Sequence, residues 1–238
     1  MKLHVLPTRA AGAAENMATD FLLLQRYPEI AVRFRHYDWH RPACTFGYSQ
    51  KIEFVRGQLA RDESVDLCRR PTGGGIVDHR EDWTYALVIP RGHPLEELRA
   101  TQSYRTVHEA LAAALHRQQV PAVVKLACEP PVEGETCSAS GVCFQRAELY
   151  DVVHARTGEK IAGAAQKRNK HGLLFQGSLW RPAVGGDVDW EGLHENFTEA
   201  LGHALQAEAV PTPMPEFAEG ELDGLTEQYA SPEWNEKR

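Results

Sequence analysis

The chain has 238 residues, of which 42% are hydrophobic and 25% charged, and its formal net charge is -7 at pH 7. This composition predicts a globular protein with a sizeable core, and the negative charge argues against general nucleic-acid binding, which needs a basic face. No apolar run approaches transmembrane length and the N-terminus lacks a signal-peptide pattern, so we expect a cytoplasmic protein without membrane contact. The five cysteines are irregularly spaced and include no Cys-x-x-Cys pair, which favours a reducing compartment and argues against structural zinc.

Hydrophobic periodicity and turn residues predict strands and helices without regular βαβ alternation. Strands are expected over Lys2 to Leu6, Ile30 to His36, Ala43 to Phe46, Val65 to Arg69, Trp83 to Ile89, Val120 to Leu126, Leu149 to Ala155, Lys160 to Ala165 and His171 to Leu179. Helices are expected over Asn16 to Tyr27, Ile52 to Ala60, from an N-cap at Ser103 to about Gln118, over Trp190 to Leu205 and over Glu216 to Tyr229. This order favours an α+β domain on a mixed sheet over a doubly wound nucleotide-binding fold.

A glycine triplet lies between two predicted strands, in the segment Arg69-Arg70-Pro71-Thr72-Gly73-Gly74-Gly75-Ile76-Val77-Asp78-His79. Glycines weaken strand packing and lose much entropy on folding, so we expect that something approaches this backbone closely. Exposed N–H groups can hold a carbonyl, a carboxylate or a phosphate, and the flanking arginines and histidine indicate a ligand that carries or develops negative charge. A glycine-rich bulge or turn without a ligand is the alternative interpretation.

Cys143 lies in Ser140-Gly141-Val142-Cys143-Phe144, at the end of a polar loop. A thiol is a strong covalent nucleophile near neutral pH when a positive charge or a base favours its thiolate. The alternative is a small buried hydrophobe or an idle surface thiol. Cys137 is the rival nucleophile, whereas Cys44 and Cys68 lie in predicted strands and are interpreted as packing residues.

Lys160 follows a predicted hairpin turn and precedes a run of very small residues, Ala162 to Ala165, which leaves space for a ligand. A lysine directed into that space could hold a carboxylate or stabilise an oxyanion, whereas a solvated lysine at a hairpin edge is the alternative. A basic cluster of Lys167, Arg168 and Lys170 follows. It is compatible with an acidic partner protein and equally with a solvated hairpin.

These segments resemble motifs of the biotin/lipoate protein ligase and lipoyl-transferase superfamily. The glycine segment is similar to its RRxTGGGxVxH signature. Further motifs are matched in order by Asn16-Met17-Ala18-Thr19-Asp20, Trp39-His40-Arg41-Pro42 through Phe46-Gly47-Tyr48-Ser49-Gln50, Lys160-Ile161-Ala162-Gly163-Ala164-Ala165-Gln166 and Tyr229-Ala230-Ser231-Pro232-Glu233-Trp234-Asn235. The resemblance implies a mixed, largely antiparallel central sheet with flanking helices, related to class II aminoacyl-tRNA synthetases. It also implies one catalytic domain over residues 1–238, with 211–238 as its C-terminal helical tail.

Within the superfamily, the chain most resembles octanoyltransferases that use a cysteine nucleophile. Gly141-Val142-Cys143-Phe144 stands where lipoate-protein ligases A usually carry a GRND-like sequence, and Tyr48 stands where many ligases have arginine. The chain also ends directly after its Glu-Trp-Asn motif, where bacterial ligases usually add an accessory domain. The resemblance therefore implies transfer of an octanoyl or lipoyl group from acyl carrier protein to a lipoyl domain, such as glycine cleavage H protein or the 2-oxoacid dehydrogenase E2 component.

The resemblance also implies the roles of individual residues. Cys143 is expected to attack the thioester and form an acyl-enzyme, while Lys160 stabilises the thiolate or the oxyanion. The expected substrate-binding residues belong to the glycine segment and the lysine motif: Arg70, Thr72, Gly73, Gly74, Gly75, His79, Gly163 and Ala164. His79 is either an orienting group or a structural histidine. No metal or cofactor is expected, because a thioester is already activated.

Other functions remain compatible with the residues. A lipoyl amidotransferase would move the group between lipoyl domains through a similar cysteine. An ATP-dependent lipoate-protein ligase, with ATP and Mg²⁺, would hold an acyl-adenylate at the glycine loop and Lys160, and Cys143 would be incidental. A non-catalytic relative would bind the acyl group or a carrier without turnover. A biotin ligase is disfavoured because the GRGRxGR loop is missing.

Overall fold

The computed structural model describes residues 1–59, 64–127 and 146–236. The strands are β1 Lys2–Val5, β2 Arg9–Ala11, β3 Val32–Trp39, β4 Ala43–Phe46, β5 Asp66–Arg69, β6 Ile76–Asp78, β7 Asp82–Pro90, β8 Ala122–Val124, β9 Val152–His154, β10 Lys160–Asn169, β11 Gly172–Trp180 and β12 Glu208–Pro211. The helices are α1 Ala13–Gln25, α2 Ile52–Gln58, α3 Pro94–Glu97, α4 Ala100–Arg117, α5 Arg181–Val184, α6 Trp190–Leu205, α7 Glu221–Ala230 and α8 Pro232–Asn235. None of these described helices is both long and apolar enough to cross a membrane.

Within the described ranges, nine strands form one large sheet in the order β12-β1-β3-β7-β11-β10-β9-β8, with β2 also paired to β3. The pairs among β12, β1, β2 and β3 are parallel, whereas every pair from β3 through β8 is antiparallel. A smaller sheet joins β5, β4 and β6. The predicted α+β class with a mixed, largely antiparallel central sheet is confirmed.

The two faces of the large sheet bury different cores. One face packs against α4 and α6, whose buried residues recur at helical spacing, as in Val107, Leu111 and Leu115 on α4. The other face packs against α1, α7 and residues of the small sheet. Because side chains alternate along a strand, Leu87 of β7 lies in the first core and Val88 lies in the second.

Three predicted helix starts are wrong. The first helix, α1, begins at Ala13 rather than at Asn16. The long helix α4 begins at Ala100 with Arg99 as its N-cap, and Ser103 lies inside the helix, where its hydroxyl donates to the carbonyl of Ala100 at 3.1 Å. A serine can make this bond to the preceding turn, so its preference for caps did not decide the boundary. The last long helix begins at Glu221 rather than Glu216, after Gly220 in a left-handed conformation with φ of 74°.

Hydrogen bonds of Arg69 hold the C-terminal segment against β5. Its guanidinium donates to the carbonyls of Tyr48, Gln50, Trp234 and Asn235 at 2.6–3.0 Å. The Trp234 indole N–H donates back to the Arg69 carbonyl at 2.8 Å, and the Arg69 amide donates to the Asn235 side chain at 2.7 Å. The Glu-Trp-Asn motif therefore closes the fold over the start of the glycine loop.

His108 of α4 couples stability to pH. Its Nδ1 lies 2.7 Å from the Tyr150 carbonyl, and burial lowers its pKa from 6.5 to about 4. Above pH 6.5 the ring is neutral in the folded and unfolded states. Below that pH the unfolded chain binds the proton first, so we expect this histidine to cost up to about 3 kcal/mol of stability as pH falls to 4. Urea unfolding between pH 7.5 and 4.5 measures this effect in the wild type and in a His108→Asn variant, whose amide keeps a hydrogen-bond donor. The free energy of unfolding should depend less steeply on pH in the variant, and equal pH slopes in the two proteins would contradict the prediction.

Candidate active site

A cleft lies between the large sheet and the small sheet. Its floor is formed by one row of residues that pair with one another across four neighbouring strands. The row consists of Gly163 on β10, Ser178 on β11, Thr84 on β7 and Tyr37 on β3. The lining combines this row with α1, the small sheet and the glycine loop: Met17, Tyr37, Thr45, Arg70, Gly74, Val77, His79, Thr84, Lys160, Gly163, Ala164, Ala165, Gln176, Gly177 and Ser178. The two motifs that the sequence separates by some eighty residues therefore line one cavity.

The glycine loop between β5 and β6 is shaped from within by Arg70. The Arg70 guanidinium donates to the carbonyls of Gly73 and Gly75 at 2.8 and 3.0 Å. A Cβ atom at Gly47 would lie only 1.9 Å from the Gly74 carbonyl oxygen, and Gly74 itself has a φ of 90°. Glycine is therefore required at both positions, one for close approach and one for its backbone conformation. Arg70 acts here on the loop, although part of it lines the cleft.

His79 connects the large sheet to this loop. Its Nδ1 lies 2.6 Å from Asp82 Oδ2, and its Nε2 lies 2.7 Å from the Thr45 hydroxyl. The same Thr45 oxygen accepts from Arg70 at 2.9 Å, and the imidazole stacks on Trp39 at 4.1 Å. The side chains of His79 and Asp82 are 4% and 1% exposed. His79 thus orients the loop through Thr45 and Arg70, and its contact with a substrate stays a prediction.

Thr72 ties the other side of the loop to helix α1. Its hydroxyl donates to Gln176 Oε1 at 2.7 Å, and the Gln176 amide donates to Asp20 at 2.7 Å. Asp20 also accepts from the Tyr37 hydroxyl and pairs with Arg35 at 3.2 Å. Burial raises the pKa of Asp20, while Arg35 acts in the opposite direction. The Asn-Met-Ala-Thr-Asp helix motif therefore supports the floor of the cleft rather than standing apart from it.

Lys160 lies buried in the wall of the cleft. Its Nζ is 2.8 Å from Asp151 Oδ2, and its side chain is 7% exposed. A Cβ at Gly163 would lie 2.7 Å from Lys160 Cε and 2.8 Å from Nζ, so the glycine leaves the space that the lysine occupies. This geometry excludes the alternative of a solvated lysine at a hairpin edge.

The structure brings most of the predicted site residues together. Arg70, Gly74, His79, Lys160, Gly163 and Ala164 all line the cleft. Thr72, Gly73 and Gly75 support the loop through hydrogen bonds. Cys143 and its rival Cys137 lie outside the described residues, so their roles stay predictions.

The structure also bears on the cysteines predicted to be packing residues and on the basic cluster. Cys44 and Cys68 are buried, as predicted for packing residues, and burial raises the pKa of the Cys68 thiol to about 12. Arg168 folds back onto α3 and α4, where it donates to the Glu96 carbonyl of α3 and to the Ser103 hydroxyl of α4 at 2.9 Å. This arginine is therefore not an outward-facing member of a docking patch.

Several site residues were missed by the sequence interpretation. Asp151 and Tyr104 contact the lysine motif, and Asp82, Thr45 and Gln176 support the glycine loop. Polar residues within otherwise apolar strands, such as Asp82 beside Trp83, were the available signal, because a buried charge needs partners.

Comparison with known proteins identifies the family. Residues 12–184 match the family described as the lipoyl protein ligase A/B catalytic domain. The chain belongs to this family. Octanoyltransferase LipM of Bacillus cereus is 34% identical over 172 residues, which cover 70% of this chain and 60% of that protein. Octanoyltransferase LipM of Kyrpidia tusciae is 25% identical over 272 residues, covering 99% of this chain and 98% of the relative. The chain spans about 60% of the length of the first curated relatives it matches.

Solved structures of the lipoyl ligase family share the fold. Lipoate-protein ligase A bound with ATP superposes with a TM-score of 0.73 and 18% identity, covering 99% of both chains. The bipartite lipoate protein ligase of Thermoplasma acidophilum gives a TM-score of 0.71 with 19% identity, covering 99% of this chain and 96% of that one. At these identities the likeness establishes the fold alone, and the reaction has to be inferred from the residues of the site.

Proposed function

We propose that this protein is an octanoyltransferase, an acyltransferase that moves an octanoyl or lipoyl group from a carrier-protein thioester to a lysine of a lipoyl domain. The observation that carries the proposal is Lys160, whose amine is buried in the wall of a cleft closed by the glycine loop. Octanoyltransferases at 34% identity support acyl transfer over ligation. The Gly-Val-Cys-Phe segment, which stands where ligases carry another motif, supports the same choice.

The proposed reaction has two steps, acylation of the enzyme and transfer to the acceptor. The Cys143 thiolate attacks the thioester carbonyl, and the carrier thiolate leaves and takes up a proton, which gives a Cys143 thioester. The acceptor lysine amine then attacks this intermediate and loses a proton, and the Cys143 thiolate leaves as the amide forms. The Lys160 ammonium stabilises the negative charge on the thiolate and on each tetrahedral oxyanion. Since the acyl group arrives activated, the reaction needs no ATP, metal or other cofactor.

The floor of the cleft is suited to the acyl tail. Small residues at Gly163, Ala164 and Ala165 leave space beside Lys160. Neighbouring strands lie about 4.8 Å apart, so the row from Gly163 on β10 to Tyr37 on β3 extends about 14 Å. We propose that the eight-carbon chain starts beside the lysine and follows this row. We further propose a cytoplasmic location, because an acyl-enzyme requires a reduced cysteine.

Intact mass measured after mixing with octanoyl-acyl carrier protein, without ATP, tests the function. We expect an octanoyl adduct on the wild type and on a Cys137→Ala variant, and none on Cys143→Ala. An acceptor lipoyl domain added afterwards should remove the adduct and gain the same mass.

Two other outcomes would replace the proposal. Modification of the lipoyl domain only with free octanoate and ATP, without an adduct on the enzyme, would make the protein a ligase. An adduct formed only from an octanoylated lipoyl domain would make it an amidotransferase, with the same cysteine and a different donor.

A further inference from the structure

We propose that Asp151 and Tyr104 are positioning residues that fix the place of the Lys160 amine at the wall of the cleft. The inference deepens the proposed function and rests on it for the reaction that the lysine serves. Its geometric basis is independent of Cys143 and lies wholly within the described residues.

The first observation is the ion pair itself. Lys160 Nζ lies 2.8 Å from Asp151 Oδ2, with side-chain exposures of 7% and 1%. The carboxylate is fixed by two more donors: the Glu148 amide reaches Oδ2 at 2.7 Å, and the Tyr104 hydroxyl reaches Oδ1 at 2.5 Å. A buried carboxylate with both oxygens bonded is costly to move, so it defines where the lysine amine lies.

The second observation is the double role of Tyr104. Its hydroxyl donates to Asp151 and accepts from the Ala164 amide at 2.9 Å. Strand β9 pairs with β10 only at Lys160 and Ala162, so the Ala164 amide lies just beyond that pairing. The tyrosine therefore joins the carboxylate to the strand that lines the cleft, and the lysine, the aspartate and the small residues form one rigid unit.

The third observation is that the other titratable groups around this unit are neutral near pH 7. Burial raises the pKa of Tyr104 well above its ordinary value, and Asp151 adds to this effect. Burial likewise raises the pKa of Tyr85 on β7. Burial lowers the pKa of His108, which packs on the Tyr104 ring at 4.2 Å, to about 4. Tyr104, Tyr85 and His108 therefore add no charge beside this ion pair near pH 7.

The consequence for the reaction is that the Lys160 amine is held where it can act on the reacting groups in the cleft. An ammonium held by a carboxylate can donate hydrogen bonds to a thiolate or to a tetrahedral oxyanion.

Amine acetylation followed by peptide mass spectrometry tests the assignment without using activity. Acetic anhydride reacts with the uncharged amine, and Lys167 provides an internal reference on the same strand. In Asp151→Asn we expect the pH of half-maximal Lys160 labelling to move to lower pH, because the amine has lost the carboxylate that lies 2.8 Å away. Octanoyl transfer by the same variant should fall by about tenfold or more, the scale of a lost hydrogen bond to a charged group. The alkaline limb of its pH–rate profile should move to lower pH.

Two controls keep the assignment falsifiable. Leu201→Ala, in the core under α6, lowers stability away from the cleft and should leave the Lys160 labelling midpoint unchanged. Tyr104→Phe should shift the midpoint in the same direction as Asp151→Asn by a smaller amount, and it carries the test if Asp151→Asn does not fold. An Asp151 or Tyr104 variant that behaves like Leu201→Ala would reduce this pair to a structural role. A shifted midpoint in a protein without octanoyl transfer would instead retain the ion-pair assignment and overturn the proposed function.

Discussion

Replacing Lys160 with alanine is expected to lower the rate of octanoyl transfer by about 10²–10³-fold, which corresponds to about 2.7–4 kcal/mol of barrier. The physical reason is the loss of the buried amine that lies in the wall of the cleft beside the small residues of β10. The change also leaves the buried Asp151 carboxylate without this partner, so a loss of stability accompanies it. Single-turnover transfer from octanoyl-acyl carrier protein to a lipoyl domain measures the effect.

A matched control separates this role from general charge. Lys167 lies on the same strand with its amine 5.4 Å from the centre of the Tyr48 ring, and it does not line the cleft. Lys167→Ala should therefore transfer octanoyl groups at close to the wild-type rate. Nearly full activity in Lys160→Ala, after thermal unfolding has confirmed a folded protein, would remove the lysine from the mechanism.

Replacing Arg69 with methionine is expected to lower the free energy of unfolding by at least about 3 kcal/mol. Methionine retains the apolar bulk but leaves the carbonyls of Tyr48, Gln50, Trp234 and Asn235 without the donors that they have in the buried guanidinium. Each buried acceptor that loses its partner retains the cost of its lost hydration. Urea unfolding monitored by tryptophan fluorescence gives the value, and Trp234 provides a local signal because its indole bonds to the Arg69 carbonyl.

The control is an arginine of the same charge at the surface. Arg41 pairs with Asp66 at 3.0 Å and its side chain is 70% exposed, so Arg41→Met should change stability by less than about 1 kcal/mol. Equal effects of the two substitutions would show that Arg69 contributes charge alone and that the C-terminal segment is held by other contacts.

Much of the fold could be predicted from the sequence because its signals are local. The alternation of Val32 and Phe34 and the helical spacing of Val107 and Leu111 predict elements that lie where the structure has them, within a few residues. Elements were missed where local signals are weak. The strands β2 and β6 have three residues each, too few for a periodic pattern, and they form because β3 and β4 offer them partners.

The same difference between local signals and contacts across the fold applies to the candidate site. The sequence shows glycine at positions 47 and 163 and arginine at positions 69 and 70. It does not show why these residue types are needed there. Gly163 gives its space to the Lys160 side chain, and Gly47 approaches the Gly74 carbonyl, both through contacts across the fold. Arg69 and Arg70, which the sequence suggested for an anionic ligand, donate instead to backbone carbonyls of the protein itself.

The sequence by itself determined the fold class, the family resemblance and six of the fifteen residues that line the cleft, because motifs and periodicity are properties of neighbouring residues. Only the tertiary structure decided which groups meet. Asp151 and Tyr104 lie 47 residues apart and carry no motif, yet they share one hydrogen bond and hold Lys160. A buried charge must find its partner within a few ångströms in space, and the spacing of residues along the chain does not determine that distance.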